Sequence, residues 1–104
     1  MISKELLDNI DIIRQNLKKF HNLDDTSNEM ILAKAVKLSE EVWELNSEVL
    51  KSLYKGRKIF VQEDLELEFA DVILTTLLLA KSLNVDINSS LVRKLNIIKE
   101  RWWV

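Results

Sequence analysis

The stretch EMILAKAVKLSEEVWELNSEVLKSLY, Glu29 to Tyr54, decides the fold. Within it Ile31, Ala35, Leu38, Val42, Leu45, Val49 and Leu53 alternate steps of four and three, the spacing that gathers side chains on one face of an α-helix. No glycine or proline interrupts it, so a long amphipathic helix is expected. On its N-terminal side, His21 to Asn28 (HNLDDTSN) is polar and rich in turn formers, and Thr26 with Glu29 has capping-box spacing for the helix start. Further upstream, Leu6, Leu7, Ile10, Ile13, Leu17 and Phe20 predict a first amphipathic helix from Lys4 to Phe20. Downstream, Gly56 falls where a helix would end in a left-handed residue, and Lys55, Arg57 and Lys58 put positive charge at the negative end of the dipole. A third helix is expected from Glu63 to Leu83. Beyond Phe69 it is apolar on nearly every side, which suits the centre of a bundle or a subunit interface. Asp86 is placed to cap a fourth helix, Ile87 to Arg101, with Leu91, Leu95 and Ile98 as its inward stripe.

Composition agrees with an all-α chain. The 104 residues include one glycine and no proline, and that length suits a single domain, 1–104. Cysteine is absent, so disulfides, thiolate metal sites and cysteine nucleophiles are excluded, and any metal must be held by oxygen or by the one histidine. Lys plus Arg number 15 against 17 Asp plus Glu, a balance that offers no surface for a nucleic acid duplex. The N-terminal residues mix charges with apolar positions, unlike a signal peptide, and the longest uncharged run, Val72 to Ala80, is too short to span a bilayer. The expectation is a soluble, cytoplasmic protein with no membrane partner.

Two acidic pairs carry the chemistry. Glu41 and Glu44 lie three residues apart on the second helix, at the border of its apolar stripe; Glu68 and Asp71 repeat the spacing on the third. An antiparallel hairpin would make the pairs face each other, because Glu44 and Glu68 are similarly distant from the turn near Gly56. One such pair is ordinarily a solvated helix face. Four converging carboxylates are different: like charges about 4 Å apart repel by roughly 1 kcal/mol even in bulk water, so the group calls for a cation or for protons. Oxygen ligands at this spacing suit Mg²⁺ or Mn²⁺ better than zinc.

The run Lys37-Leu-Ser-Glu-Glu-Val-Trp-Glu-Leu45, followed by Glu68-Phe-Ala-Asp-Val72, resembles the EExxE and ExxD motifs of the MazG-like superfamily of all-α nucleotide pyrophosphohydrolases. The resemblance extends from about Phe20 to Trp102 and takes in Asn84-Val-Asp86 and the basic residues Lys94, Lys99 and Arg101. It implies a four-helix protomer, assembled through its helical core as a dimer or tetramer, that hydrolyses nucleoside triphosphates to a monophosphate and pyrophosphate with Mg²⁺. By position, Glu41, Glu44, Glu68 and Asp71 become the metal ligands, and Glu40, the first acid of EExxE, takes a water-orienting catalytic role. Lys94, Lys99 and Arg101 would hold phosphates, and His21, after Phe20, matches an aromatic-histidine element that contacts the base in some relatives. Trp43, Trp102 and Trp103 are candidates for stacking or interface contacts; Trp43 points away from Glu41 by helical geometry, which favours packing or a dimer contact. One departure is Ile98, where family members often carry asparagine, and it leaves base and sugar recognition undefined.

The resemblance leads to the expectation of a Mg²⁺-dependent nucleoside triphosphate pyrophosphohydrolase, homo-oligomeric, with nucleotide-pool cleaning as its general role. Two other readings stand beside it: phosphoribosyl-ATP pyrophosphohydrolase, which would use the same acids, and a non-catalytic helical interaction module in which the acids are surface charge. A di-iron bundle fits poorly, since it needs Glu-x-x-His pairs and His21 is the single histidine.

Overall fold

The computed structural model describes residues 1–21, 24, 26–54 and 59–102. Four helices and no strand are found among them: α1 (Lys4–His21), α2 (Asn28–Leu53), α3 (Gln62–Ser82) and α4 (Ile87–Trp102). The ends agree with the sequence reading to within a residue or so. The expected roles of Gly56, Lys55, Arg57, Lys58 and Trp103 fall outside the described residues.

Short polar side chains set the helix starts. Ser3 Oγ accepts from the Leu6 amide at 3.1 Å at the head of α1. The α2 cap is one residue later than expected: Ser27 Oγ, not Thr26, accepts from the amide three residues on, that of Met30, at 3.2 Å. Thr26 is instead turned back onto Asp24, donating its amide at 2.9 Å and its hydroxyl at 2.8 Å to Asp24 Oδ1, which holds that carboxyl below its ordinary range. A hydroxyl spent on the turn cannot also cap the helix. Asp86 caps α4 as expected, its Oδ1 accepting from the Ser89 amide at 3.1 Å.

Between α3 and α4 the chain reverses through a Schellman motif. Asn84 takes φ 57°, Val85 N–H bonds to Ala80 C=O at 2.8 Å and Asn84 N–H to Lys81 C=O at 3.1 Å. Asparagine supplies the left-handed residue where a glycine is more usual.

The main packing joins α2 to α3, and α1 leans on α3. The start of α2 meets the end of α3, where Lys34 bonds Ser82, and Lys51 near the end of α2 feels the charge of Asp64 near the start of α3, so the two run antiparallel. Helix α2 follows the predicted stripe in part, with Ile31, Ala35, Leu38, Leu45 and Val49 half-buried. Its buried residues are Met30, Lys34 and Glu41, while Val42 and Leu53 on the stripe are exposed. The contact face is thus rotated toward the acids. Leu77 and Ala80 of α3 and Ile10 of α1 complete the buried apolar set.

None of α4 is buried, and Leu91 and Leu95 of its expected inward stripe stand exposed. It is tied down at its start, where Asn88 exchanges two hydrogen bonds with the Ile2 backbone at 3.0 and 2.9 Å. The radius of gyration, 16.6 Å, exceeds the roughly 13 Å of a compact domain of about this length. On the outer side of α2, Leu32, Val36, Trp43 and Leu50 form a second apolar stripe, opposite the buried face and open to solvent.

Candidate metal centre

Helix α2 places Glu41 and Glu44 one turn apart on the side turned to α3, and α3 returns Glu68 against them. Each of the three offers one carboxylate oxygen, and those oxygens lie within 4.8 Å of one another. Glu41 is only 6% exposed, an unusual position for a glutamate. Lys37, one turn before it, donates to its Oε1 at 3.1 Å. Glu41 Oε2 and Glu68 Oε2 are buried without a hydrogen-bond partner among the described residues. Burial pushes the Glu68 carboxyl above its ordinary range, and the charges of Glu44, Asp71, Glu41 and Glu48 push it further the same way.

These features fit a hard divalent cation. The donors are all oxygens, and oxygens within 4.8 Å of one another need only a small closing movement to lie about 2.1 Å from a common ion. Two of the carboxylates keep a lone-pair face dry and unpaired, which costs free energy until a cation or proton occupies it.

The other predicted site residues divide. Asp71 is exposed and outside the group of three, yet near enough for its charge to raise Glu68. Glu40 points to solvent, 3.7 Å from Lys37 Nζ. Lys94, Lys99 and Arg101 stand exposed on α4, a helix outside the α2–α3 packing that gathers the acids. His21 is exposed at the end of α1, its ring edge-on to Phe20 at 5.1 Å. Trp43 is 73% exposed on the face of α2 away from Glu41.

Sequence reasoning missed the residues that flank the acids. Lys37 pairs with Glu41 and Lys51 pairs with Glu48 at 2.8 Å, so each end of the acidic row on α2 carries a lysine. The signal was there, since both pairs have i, i+3 or i, i+4 spacing. A cavity of about 490 Å³ at the other end of α3, lined by Leu7, Asp11, Arg14, Leu77, Lys81 and Asp86, shares no residue with the acid group. Its charges largely answer each other: Arg14 pairs with Asp11 at 3.2 Å, and Lys81 lies 3.7 Å from the same carboxylate.

No protein-family model matches the chain, and neither does any curated protein or solved structure. No helix among the described residues is long and apolar enough to cross a membrane.

Proposed function

We propose that this chain is a Mg²⁺-dependent nucleotide pyrophosphohydrolase of the MazG-like kind, acting on nucleoside triphosphates as a homo-oligomer. The observation that carries the reading is the convergence of Glu41, Glu44 and Glu68, from the two segments that resemble EExxE and ExxD, on one small volume with two buried carboxylate oxygens unpaired.

In the reaction, a water oxygen adds to the α-phosphorus, the bond to the α,β-bridging oxygen breaks, and the monophosphate and pyrophosphate leave with release of a proton. A bound Mg²⁺ supplies Lewis acidity and neutralises polyphosphate charge. The protein holds that cation with Glu41, Glu44 and Glu68, with Asp71 beside them. Glu40, exposed next to Glu41, is available to orient the attacking water. Lys94, Lys99 and Arg101, which pair with no carboxylate among the described residues, are available to phosphates. No protein nucleophile is required.

Assembly with a second copy accounts for the open form of the single chain. A fully apolar buried set of Ile10, Met30, Leu77 and Ala80 is small for this length, while α4 and the outer face of α2 display apolar stripes to water. That same exposed surface is what a helical interaction module would use, so the two readings part at the metal: the module predicts no response to cations.

The deciding experiment is pyrophosphate release from a panel of NTPs, dNTPs and phosphoribosyl-ATP, with and without Mg²⁺, beside Glu44→Gln. Metal-dependent release that the variant loses is the expected result, and the panel ranks the substrates. Absence of release from every nucleotide overturns the enzymatic reading in favour of the module.

A further inference from the structure

The cavity of about 490 Å³ at the C-terminal end of α3 opens between α1, α3 and the start of α4. Leu7, Leu77, Ala80 and Val85 give it an apolar lining, and Arg14 and Lys81 stand among them. Small-molecule pockets commonly measure about 300–1,000 Å³ and combine an apolar lining with a few convergent polar groups. Local bonds hold the wall on the α4 side. Asn84 at φ 57°, the Val85 amide on Ala80 C=O and the Asp86 cap fix the reversal that carries Val85 and Ile87 into the lining. The cavity is thus built into the backbone.

Its charges lean positive. One carboxylate, Asp11, faces two cations, Arg14 Nη1 at 3.2 Å and Lys81 Nζ at 3.7 Å. The second distance is longer than a hydrogen bond, so the Lys81 ammonium group keeps its donors for another acceptor. Asp86 gives Oδ1 to the Ser89 amide, where the positive end of the α4 dipole answers its charge. A neighbouring hollow of about 250 Å³ shares Asp11 and Arg14 and adds Gln15 and Lys18. Together the two hollows present Arg14, Lys18 and Lys81 against Asp11 and the capped Asp86.

We propose that this cavity binds a small amphipathic anion, an apolar body bearing a phosphate or carboxylate group, with the body against Leu7, Leu77 and Val85 and the head between Arg14 and Lys81. A guanidinium fork and an ammonium group suit either head. Asp11 competes with the ligand for both cations and keeps them in place when the cavity is empty. The site shares no residue with Glu41, Glu44 and Glu68, so it stands whether or not those acids hold a metal.

The test is an amide NMR titration of the full chain in metal-free buffer. Phenyl phosphate and benzoate are the probes, benzyl alcohol is the neutral body, and inorganic phosphate is the head alone. At least one aromatic anion is expected to move the amides of Leu77, Val85 and Ile87 saturably, and the tighter of the two names the head. Lys81→Met is expected to weaken that probe roughly tenfold, the loss of one contact to a charged group. Asp11→Asn is expected to tighten it by removing the internal competitor. Benzyl alcohol binding as tightly as the anions overturns the proposal, as do wild-type affinity in Lys81→Met, shifts spread over the exposed apolar residues of α2 and α4, or no saturable shift at all. Cavity amides that move on dilution of the protein alone also overturn it, because a second copy then fills the space. If Asp11→Asn does not fold, Lys81→Met decides, since its side chain is part-exposed and its removal leaves the core intact.

Discussion

Lys34 on α2 donates its ammonium group to the hydroxyl of Ser82 on α3, and both residues are buried. This contact fastens the far end of the hairpin that carries the acids. The Ser82 hydroxyl in turn donates to Leu78 C=O at 3.2 Å. Ser82→Ala takes an acceptor from a buried cation, and the expected cost is about 1–3 kcal/mol, read from urea denaturation. A variant as stable as the wild type would mean that the pair does not hold the helices together.

Glu68 sets a pH dependence. Its folded carboxyl titrates above the ordinary glutamate value of 4.5, so its preference for the proton favours the fold below about pH 4.5, and that contribution is lost as pH rises through the higher folded value. Metal-free Glu68→Gln is therefore expected to melt above the wild type at neutral pH, with the gap closing as the pH falls through the raised folded value toward 4.5. Thermal melts of the two proteins across pH 4 to 8 (roughly the span over which a raised carboxyl ionises) check this. A gap that widens on acidification contradicts it.

On the proposed function, adding the cation is expected to reverse the order. A ligand that binds only the folded state stabilises by about 2.7 kcal/mol at a hundred times its dissociation constant. Saturating Mg²⁺ is expected to raise the wild-type melting temperature, to leave Glu44→Gln nearly unmoved, and to place Glu68→Gln below the wild type. EDTA restores the metal-free order.

The outer stripe of α2 bears on assembly. Trp43 stands near its middle with Val36 and Leu50 one heptad away on either side, all exposed in the single chain. Trp43→Glu is expected to shift the protein toward monomer in light scattering coupled to size exclusion, with helix content retained. An unchanged mass would remove this face from the proposed assembly, and a wild type already monomeric would remove the assembly itself.

Asn84 offers a local check on the α3–α4 reversal. With φ at 57°, Asn84→Ala is expected to cost about 1 kcal/mol while Asn84→Gly is close to neutral, measured by denaturation.

The sequence by itself determined the helices and the acids. Apolar spacing, the lack of proline and the capping residue Asp86 are local properties, and helix formation responds to local properties, so all four elements were legible to within a residue or so. The three-residue spacing of Glu41 with Glu44 was equally legible, because helical geometry alone puts them on one face. The Thr26 cap failed for a reason no spacing rule contains: Thr26 bonds backward to Asp24, and Ser27 takes the helix end.

Only the tertiary structure decided which face of each helix is covered. A periodic stripe says that a side is apolar, yet α2 has two such sides, and the choice between them rests on how α3 docks. Docking turned Glu41 inward on the same face as Lys34 and left Trp43 outside, which made a carboxylate with an unpaired oxygen out of a residue that read as stripe-edge charge. The same docking separated Glu68, drawn into the group of three, from Asp71, left exposed beside it. It also left α4, amphipathic in sequence though less so than α1, without a buried residue. Burial depends on what packs opposite, and that partner is distant along the chain or on another copy of it.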